Sequence, residues 1–322
     1  MQSMIKHNNI EYFMPFLFCN DLFIPVLDEL LKEEKNPIKY VYGTPSCEWG
    51  VGPRFAVFKL DNLKIVERYF KNLKEKYNII PTLTFTNLKS KDRLNDEYSN
   101  SLLDVAYSLD CRFIVSTEEL FNHIKSRYPD AKIHSSVILP STKIVEEKGF
   151  NETKFYNKML DKCEVVVIRP EYVMDNLLKL DKLLSDISRV EVLINQNCHY
   201  NCPHHRAHYN FIEEIAKNKN KNVKFHTSDN QEEFSLCPKY SMNYRSVYLT
   251  QEQVEKAIEL GVKKIKIQGR SLPFDWLFDE LYKNFFNNSY YSKKELEDKI
   301  DKILANMLKN DRKKALVFNL EK

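Results

Sequence analysis

The sequence predicts an α/β protein folded as a closed (β/α)8 barrel of the TIM-like type. Short segments rich in β-branched and aromatic residues alternate with helical segments along most of the chain. Alternation of this kind is typical of a parallel sheet covered by helices. Eight such units follow one another, and eight is the number that closes a parallel sheet into a barrel. An open, doubly wound sheet is the alternative.

Eight short apolar runs are predicted as strands because polar or turn-forming residues bound each of them. In chain order they are Glu11–Phe16, Ile38–Gly43, Ile80–Thr86, Cys111–Ser116, Lys132–Val137, Cys163–Ile168, Val190–Asn195 and Lys263–Gln268. Alternate residues of a barrel strand face the interior and the surrounding helices. On the eighth strand, Lys264, Lys266 and Gln268 are therefore predicted to point into the barrel.

Helices are predicted between the strands because apolar residues recur there at a spacing near 3.6. Val66, Phe70 and Leu73, for example, share one face of the second helix. The predicted helices are Leu22–Glu34, Asn62–Tyr77, Tyr98–Leu109, Thr117–Tyr128, Thr153–Lys162, Met174–Ile187, His208–Lys217 and Thr250–Leu260. Helical patterns continue after Pro273. We therefore expect a barrel domain over residues 1–272 and a helical extension over residues 273–322 that packs on it.

Composition excludes several classes of protein. The chain has 322 residues, of which 43% are hydrophobic, and a net charge of only +4, so a sizeable core is expected and a strongly basic surface is not. No run approaches the roughly 18 apolar residues of a membrane helix, and the first residues do not resemble a signal peptide. We expect a cytoplasmic protein without membrane contact. No Gly-x-Gly-x-x-Gly or Walker sequence occurs, which argues against a dinucleotide or P-loop site.

Four cysteines are predicted at the carboxyl-terminal rim of the barrel, where the active sites of such barrels lie. Cys47 follows the second predicted strand, Cys198 follows the seventh, and Cys202 and Cys237 lie in the connection before the eighth. That connection is far longer than the few residues usual for this position, and long loops in compact domains often carry function. Cys19, after the first strand, is the alternative to Cys47.

Three interpretations of these cysteines are open from the residues alone. Thiolates bind iron–sulfur clusters, and they also bind zinc, for which His204 or His205 could supply a further ligand. The third interpretation is that the cysteines are ordinary buried residues. The run Cys198-His-Tyr-Asn-Cys202 argues against it, because its neighbours are polar or aromatic and do not form an apolar stripe.

Basic residues are predicted at the same rim. Arg54 follows the second strand, Arg169 ends the sixth, and Lys266 and Arg270 lie on and just after the eighth. Because arginine binds carboxylates and phosphates through paired hydrogen bonds, we expect these four residues to hold an anionic substrate. A buried ion pair is the alternative role for Lys266. The candidates for proton transfer are Lys266 and His205.

Several segments of the chain resemble the collagenase-like peptidase family, also called peptidase family U-thirty-two. Family members have a helix, a glycine and then a strand ending Lys-Ile-Glu-Gly-Arg; residues 249–270 are similar and end Lys266-Ile-Gln-Gly-Arg270. A cysteine-bearing loop precedes that helix here, as it does in the family. The run Val41-Tyr-Gly43 before Cys47 is similar to a strand that precedes a cluster-binding cysteine in members involved in oxygen-independent ubiquinone hydroxylation.

The resemblance implies that Cys47, Cys198, Cys202 and Cys237 hold a [4Fe–4S] cluster at the barrel mouth. Characterised members hydroxylate RNA bases or the ubiquinone ring, or are described as proteases. For this chain the resemblance implies an oxidoreductase that modifies an anionic, aromatic or nucleotide-like substrate, either a small molecule or RNA, with a protein partner or electron donor. The alternatives are a peptidase or zinc-dependent hydrolase, and a cluster-bearing accessory subunit without catalysis of its own.

Overall fold

Eight parallel strands form a closed barrel. The structure is a computed structural model that describes residues 3–7, 9–50, 62–203, 205, 209, 246–270 and 274–310. The barrel strands are β1 Glu11–Met14, β2 Ile38–Gly43, β3 Ile80–Phe85, β4 Arg112–Val115, β5 Ile133–Ser135, β6 Val165–Ile168, β7 Val190–Leu193 and β10 Lys264–Lys266. They follow one another in chain order around the barrel, and β10 closes it against β1. This arrangement confirms the predicted (β/α)8 fold, and every predicted strand contains the observed one.

Helices alternate with these strands. They are α1 Phe23–Leu30, α2 Leu63–Tyr77, α3 Glu97–Ser108, α4 Glu118–Arg127, α5 Ile138–Glu146, α6 Glu152–Leu160, α7 Pro170–Asn176, α8 Leu180–Leu183, α9 Gln251–Glu259, α10 Phe274–Asn284 and α11 Lys293–Asn310, with short 3-10 turns at Ser90–Arg93, Leu177–Lys179 and Ile187–Arg189. The single helix predicted over 174–187 is in fact divided among α7, a 3-10 turn and α8. Helix α5 was not predicted, and the helix predicted over 208–217 lies outside the described residues apart from Tyr209.

Polar side chains fix where several of these helices begin. The side chain at the N-cap accepts a hydrogen bond from a backbone N–H of the first turn, an interaction that contributes about 1 kcal/mol per helix. At α9 the bond is reciprocal, because Gln253 also accepts from the backbone N–H of its cap, Thr250. The other capping residues of this kind are Asn62 for α2, Asp96 for α3, Thr117 for α4, Asn151 for α6 and Ser292 for α11.

Strand alternation separates two packed regions. On β1, Tyr12 and Met14 belong to the large apolar core between the strands and the helices, whereas Phe13 points into the barrel. Inside the barrel, the ring of Phe13 stacks on Tyr40 at a centroid separation of 4.1 Å, and both rings contact buried His134. The barrel is therefore filled by side chains and is not an open channel.

A two-stranded antiparallel sheet lies between β7 and β10 in the chain. It consists of β8 Asn195–His199 and β9 Ser246–Tyr248, and Asn195 faces Tyr248 in its register. The long connection that carries three of the predicted metal-binding cysteines therefore leaves and rejoins the barrel at neighbouring points.

The described helices after residue 273 pack on the barrel. Leu277, Phe278 and Leu281 of α10 belong to the same apolar core as the barrel strands. At the end of α10, Phe285 contacts the ring of Tyr12 edge-on at 4.9 Å. Helix α10 thus occupies the place of the helix that follows the eighth strand of the barrel. No helix in the described part of the chain has the length and apolar character needed to cross a membrane.

Candidate active site at the barrel mouth

Two cations, one on β10 and one just after it, meet one aromatic ring at the carboxyl-terminal end of the barrel. The Nζ atom of Lys266 lies 4.1 Å from the ring centroid of Tyr42, and the guanidinium carbon of Arg270 lies 5.8 Å from it. The Tyr42 hydroxyl donates to the backbone oxygen of Ile267 at 2.6 Å, so the ring is fixed in place. Cations over an aromatic face are attracted to its π electrons, which stabilises this grouping.

Lys266 is buried and paired inside the barrel. Its Nζ atom lies 2.7 Å from Oε1 of Glu191 on β7, and Glu191 is fully buried. Burial lowers the pKa of Lys266, although attraction to Glu191 opposes that shift and Arg270 adds to it. The inward direction predicted from strand alternation is confirmed by this pairing. The ion pair expected as the alternative role for Lys266 is also present.

Arg270 reaches across the mouth toward β3. Its Nη1 atom donates to Oγ1 of Thr84 at 2.6 Å. Thr82 and Thr86 share the strand face of Thr84, and Ser116 follows β4 on the face of buried Ile114. The hydroxyls of Thr82, Thr86 and Ser116 are buried without a hydrogen-bond partner among the described residues. Buried polar groups are normally satisfied, so this edge of the mouth offers free donors and acceptors to a ligand.

Arg169, predicted to bind substrate, is instead engaged by protein groups. The Nε and Nη2 atoms of its side chain donate to the two carboxylate oxygens of Glu152 at 3.0 and 3.1 Å, and Nη2 also donates to Oδ1 of Asn201 at 3.1 Å. Its Nη1 atom lies 3.5 Å from the buried carboxylate of Glu171. Arg169 therefore anchors the turn that follows β8.

That turn brings two thiols together. Asn201 has a positive φ of 48°, a left-handed conformation that Asn tolerates better than most residues, and the Cys202 N–H donates to the His199 oxygen at 3.2 Å. The reversal places the Cys202 thiol in hydrogen-bond contact with Cys198. This contact raises the pKa of Cys198, and burial and the negative charge of Glu171 raise it further. Without a metal, the Cys198 sulfur is therefore expected to remain a thiol.

Cys47 lies elsewhere on the rim. Its sulfur is 3.9 Å from Oγ1 of Thr44, and it packs beside Ser99 of α3 on the side of β3. Burial raises the pKa of Cys47, although hydrogen bonds from the Trp49 backbone and Thr44 oppose that shift. In the strand order, β1 and β10 separate β2, which precedes Cys47, from β7, which precedes Cys198.

The predicted metal ligands are thus only partly placed by the structure. Cys198 and Cys202 are adjacent, as two ligands of one cluster would be, and Cys237 and Arg54 lie outside the described residues. Within the described ranges, no three Cys, His, Asp or Glu side chains are grouped so that they could hold a metal ion. The alternative fourth ligand, Cys19, donates to the Leu17 oxygen at 3.2 Å.

The two proton-transfer candidates differ in setting. Lys266 lies in the barrel beside Glu191, as described above. His205 is buried after the cysteine turn, and its ring stacks on that of Tyr209 at a centroid separation of 5.2 Å. His205 therefore belongs to the cysteine segment, whereas Lys266 belongs to the cationic mouth.

Sequence reasoning missed Tyr42, Thr84 and Glu191 as site residues. Each lies at an alternate strand position whose side chain points into the barrel, and this alternation is the signal in the sequence that could have found them. Tyr42 precedes Gly43, where an added Cβ would lie only 2.0 Å from the backbone oxygen of Leu17, so glycine permits the close approach of β2 to the chain after β1.

The fold and site define a (β/α)8 barrel with a cationic, aromatic mouth and a nearby thiol pair. A comparison with known proteins finds no family model that matches the chain, and no curated protein or solved structure that matches it.

Proposed function

We propose that this protein is an enzyme that binds an anionic, aromatic or nucleotide-like substrate at its barrel mouth. The observation that carries the proposal is the convergence of Lys266 and Arg270 on the ring of Tyr42. The guanidinium of Arg270 suits a negative group on such a substrate, because arginine binds carboxylates and phosphates through paired hydrogen bonds. Arg54 is proposed to join this patch.

The reaction is proposed to be an iron–sulfur-dependent redox modification of the hydroxylation type. Cys198 and Cys202 would supply two thiolates, and Cys47 and Cys237 the other two. Support comes from the adjacency of the first two thiols and from the resemblance to the collagenase-like peptidase family. A [4Fe–4S] cluster supplies one-electron transfer when it is bound. Cys47 lies on a different part of the rim from Cys198 and Cys202. Its loop would therefore have to move toward this thiol pair for the four cysteines to hold one cluster.

The chain's own residues would then orient the substrate. Lys266 is held by Glu191 and Arg270 by Thr84, so both cations are fixed before a substrate arrives. Preorganised charges of this kind stabilise developing negative charge more effectively than mobile ones. Because burial lowers the pKa of Lys266, its ammonium is the better suited of the two cations to donate a proton.

Metal and sulfide analysis of anaerobically purified protein tests the redox proposal. We expect iron and acid-labile sulfide in equal amounts, and loss of both in C198A/C202A. The matched control is C111A/C163A, which removes two buried cysteines that lie just before β4 and β6. Stoichiometric zinc without sulfide would instead support a hydrolase or peptidase. Protein free of both metals would contradict a metal site altogether.

Substrate binding is tested separately with an aromatic phosphate such as uridine monophosphate. Replacing Arg270 with Ala removes one charge-assisted contact, so affinity should fall by about tenfold or more in titration calorimetry. Arg68→Ala, on the exposed face of α2, is the control and should leave affinity unchanged. Equal affinity of both variants for the nucleotide would place the anion site elsewhere.

A further inference from the structure

A cavity lies outside the barrel, between two of its strands and the helices that cover them. The proposed active site, in contrast, lies at the mouth of the barrel. The cavity has a volume of about 390 Å³, is open on one side and is lined by residues of β4, β5, α4, α5 and α6, together with the loop over 147–151. Small-molecule sites in proteins commonly measure about 300–1,000 Å³, so this space is large enough for a ligand. None of the residues proposed for the barrel mouth lines this cavity.

The inner wall of the cavity is apolar. It is formed by side chains from two strands and three helices: Val115, Phe121, Ile133, Leu139, Phe155 and Met159. Three residues with polar side chains, Thr117, His134 and Ser135, also line the cavity. Ser135 lines the cavity and is 2% exposed, and its hydroxyl has no hydrogen-bond partner among the described residues. An aliphatic chain could pack against most of this wall.

The rim of the cavity is positively charged. Five lysines line it, against two glutamates, Glu118 and Glu147. Lys143 is paired with Glu147 at 2.7 Å, whereas the other four form no ion pair with a described residue: Lys148, Lys154, Lys158 and Lys162.

Two of these lysines repel each other along one helix. Lys154 and Lys158 lie four residues apart on α6, and like charges at this spacing destabilise a helix by a few tenths of a kcal/mol. An anion bound between them would remove that repulsion. The cavity therefore combines an apolar interior with a cationic entrance.

We propose that this cavity binds an amphiphilic anion, a medium-length aliphatic chain ending in a carboxylate. The chain would fill the apolar interior and the carboxylate would lie at the lysine rim. This site is separate from the barrel mouth, so it does not depend on the proposed redox function. A ligand with only a charge would leave the apolar wall uncovered, and a ligand with only a chain would leave the lysines unpaired.

Titration calorimetry with decanoate, below its micelle concentration, tests the site. We expect saturable binding of one decanoate per chain. Shortening the ligand to octanoate should weaken binding by about fourfold for each methylene removed, because a buried methylene contributes about 0.8 kcal/mol. Butanoate binding as tightly as decanoate would mean a surface anion site and would overturn the proposal.

Charge-reversal variants test the rim. K154E/K158E should weaken decanoate binding by about tenfold or more, and K294E/K302E, which changes two exposed lysines of α11, should not. Leu139→Trp, which fills the interior, should also weaken decanoate binding, with its fold checked by circular dichroism, and unchanged affinity in this folded variant would contradict binding in the interior. An unchanged affinity in K154E/K158E, or binding only to phospholipid vesicles and never to monomeric decanoate, would overturn the proposal. Arg270→Ala should bind decanoate normally, which separates this site from the mouth.

Discussion

Replacing Lys266 with Met should destabilise the protein strongly. The Lys266 ammonium lies 2.7 Å from Glu191, whose second carboxylate oxygen has no other hydrogen-bond partner among the described residues. The variant would leave the Glu191 carboxylate buried without its counter-charge. Removing one partner of a buried pair costs about 3–5 kcal/mol, since the remaining charge keeps its desolvation penalty.

The double variant K266M/E191L distinguishes the loss of the ion pair from the cost of leaving one charge buried alone. With both charges replaced by apolar groups, the desolvation penalty disappears, and such replacements are often neutral or stabilising. We therefore expect the double variant to be more stable than either single variant, with a coupling free energy of at least about 2 kcal/mol. Loss of the cation from the Tyr42 ring, 4.1 Å from Nζ, should leave a residual cost of about 0.5–2 kcal/mol.

Urea unfolding followed by far-ultraviolet circular dichroism at pH 7 measures these free energies. The four proteins of the cycle are compared under identical conditions, and equal m values establish that only stability has changed. A loss below about 1 kcal/mol in K266M, or costs that simply add in the double variant, would refute the reasoning. Either result would mean that water reaches the pair and screens it.

Three further predictions concern other side chains. Burial lowers the pKa of His134 below its ordinary 6.5, so the unfolded chain binds a proton more readily than the folded one, and stability should fall as pH drops through 6.5. His134→Gln should therefore flatten the dependence of Tm on pH between about 5 and 6.5. A slope identical to that of the parent protein would contradict this. Because the pKa of Cys198 is raised, iodoacetamide should label this thiol at pH 8 at least about tenfold more slowly in the folded, metal-free protein than in urea, as mass spectrometry would show; equal rates would mean an ionised thiol. Trp49 is fully buried and donates to the Arg93 oxygen at 2.8 Å, so Trp49→Ala should lower the free energy of unfolding by about 3–5 kcal/mol in the same urea assay, and a loss under 1 kcal/mol would show that the ring is dispensable for packing.

The fold could be predicted from the sequence because its signals are local. Each barrel strand is a short apolar run, and strand alternation correctly directed Lys266 inward. Helix α5 was missed because its sequence contains Pro140, Ser141 and Thr142, residues with low helix propensity, and packing overrides that propensity here. The break over 177–179 also has no local signal as strong as a proline or glycine.

The candidate site was harder to predict because it depends on distant residues. Glu191 pairs with Lys266 only through the stagger of neighbouring strands, which a sequence pattern does not give. Topology placed Cys47 at the correct rim, but the direction of its loop is set by burial of Trp49 against Phe85 and His123. Arg169 has the expected position, yet its donors are used by Glu152 and Asn201.

The pairing of β8 with β9 holds together the two ends of the long insert between β7 and β10. Because Asn195 faces Tyr248, the chain leaves β8 and rejoins the barrel through β9 at adjacent points. Lengthening such an excursion twofold raises the free energy of closing it by only about 0.6 kcal/mol. Evolution or protein engineering can therefore replace this insert and give the same barrel a new chemistry without changing its eight strands.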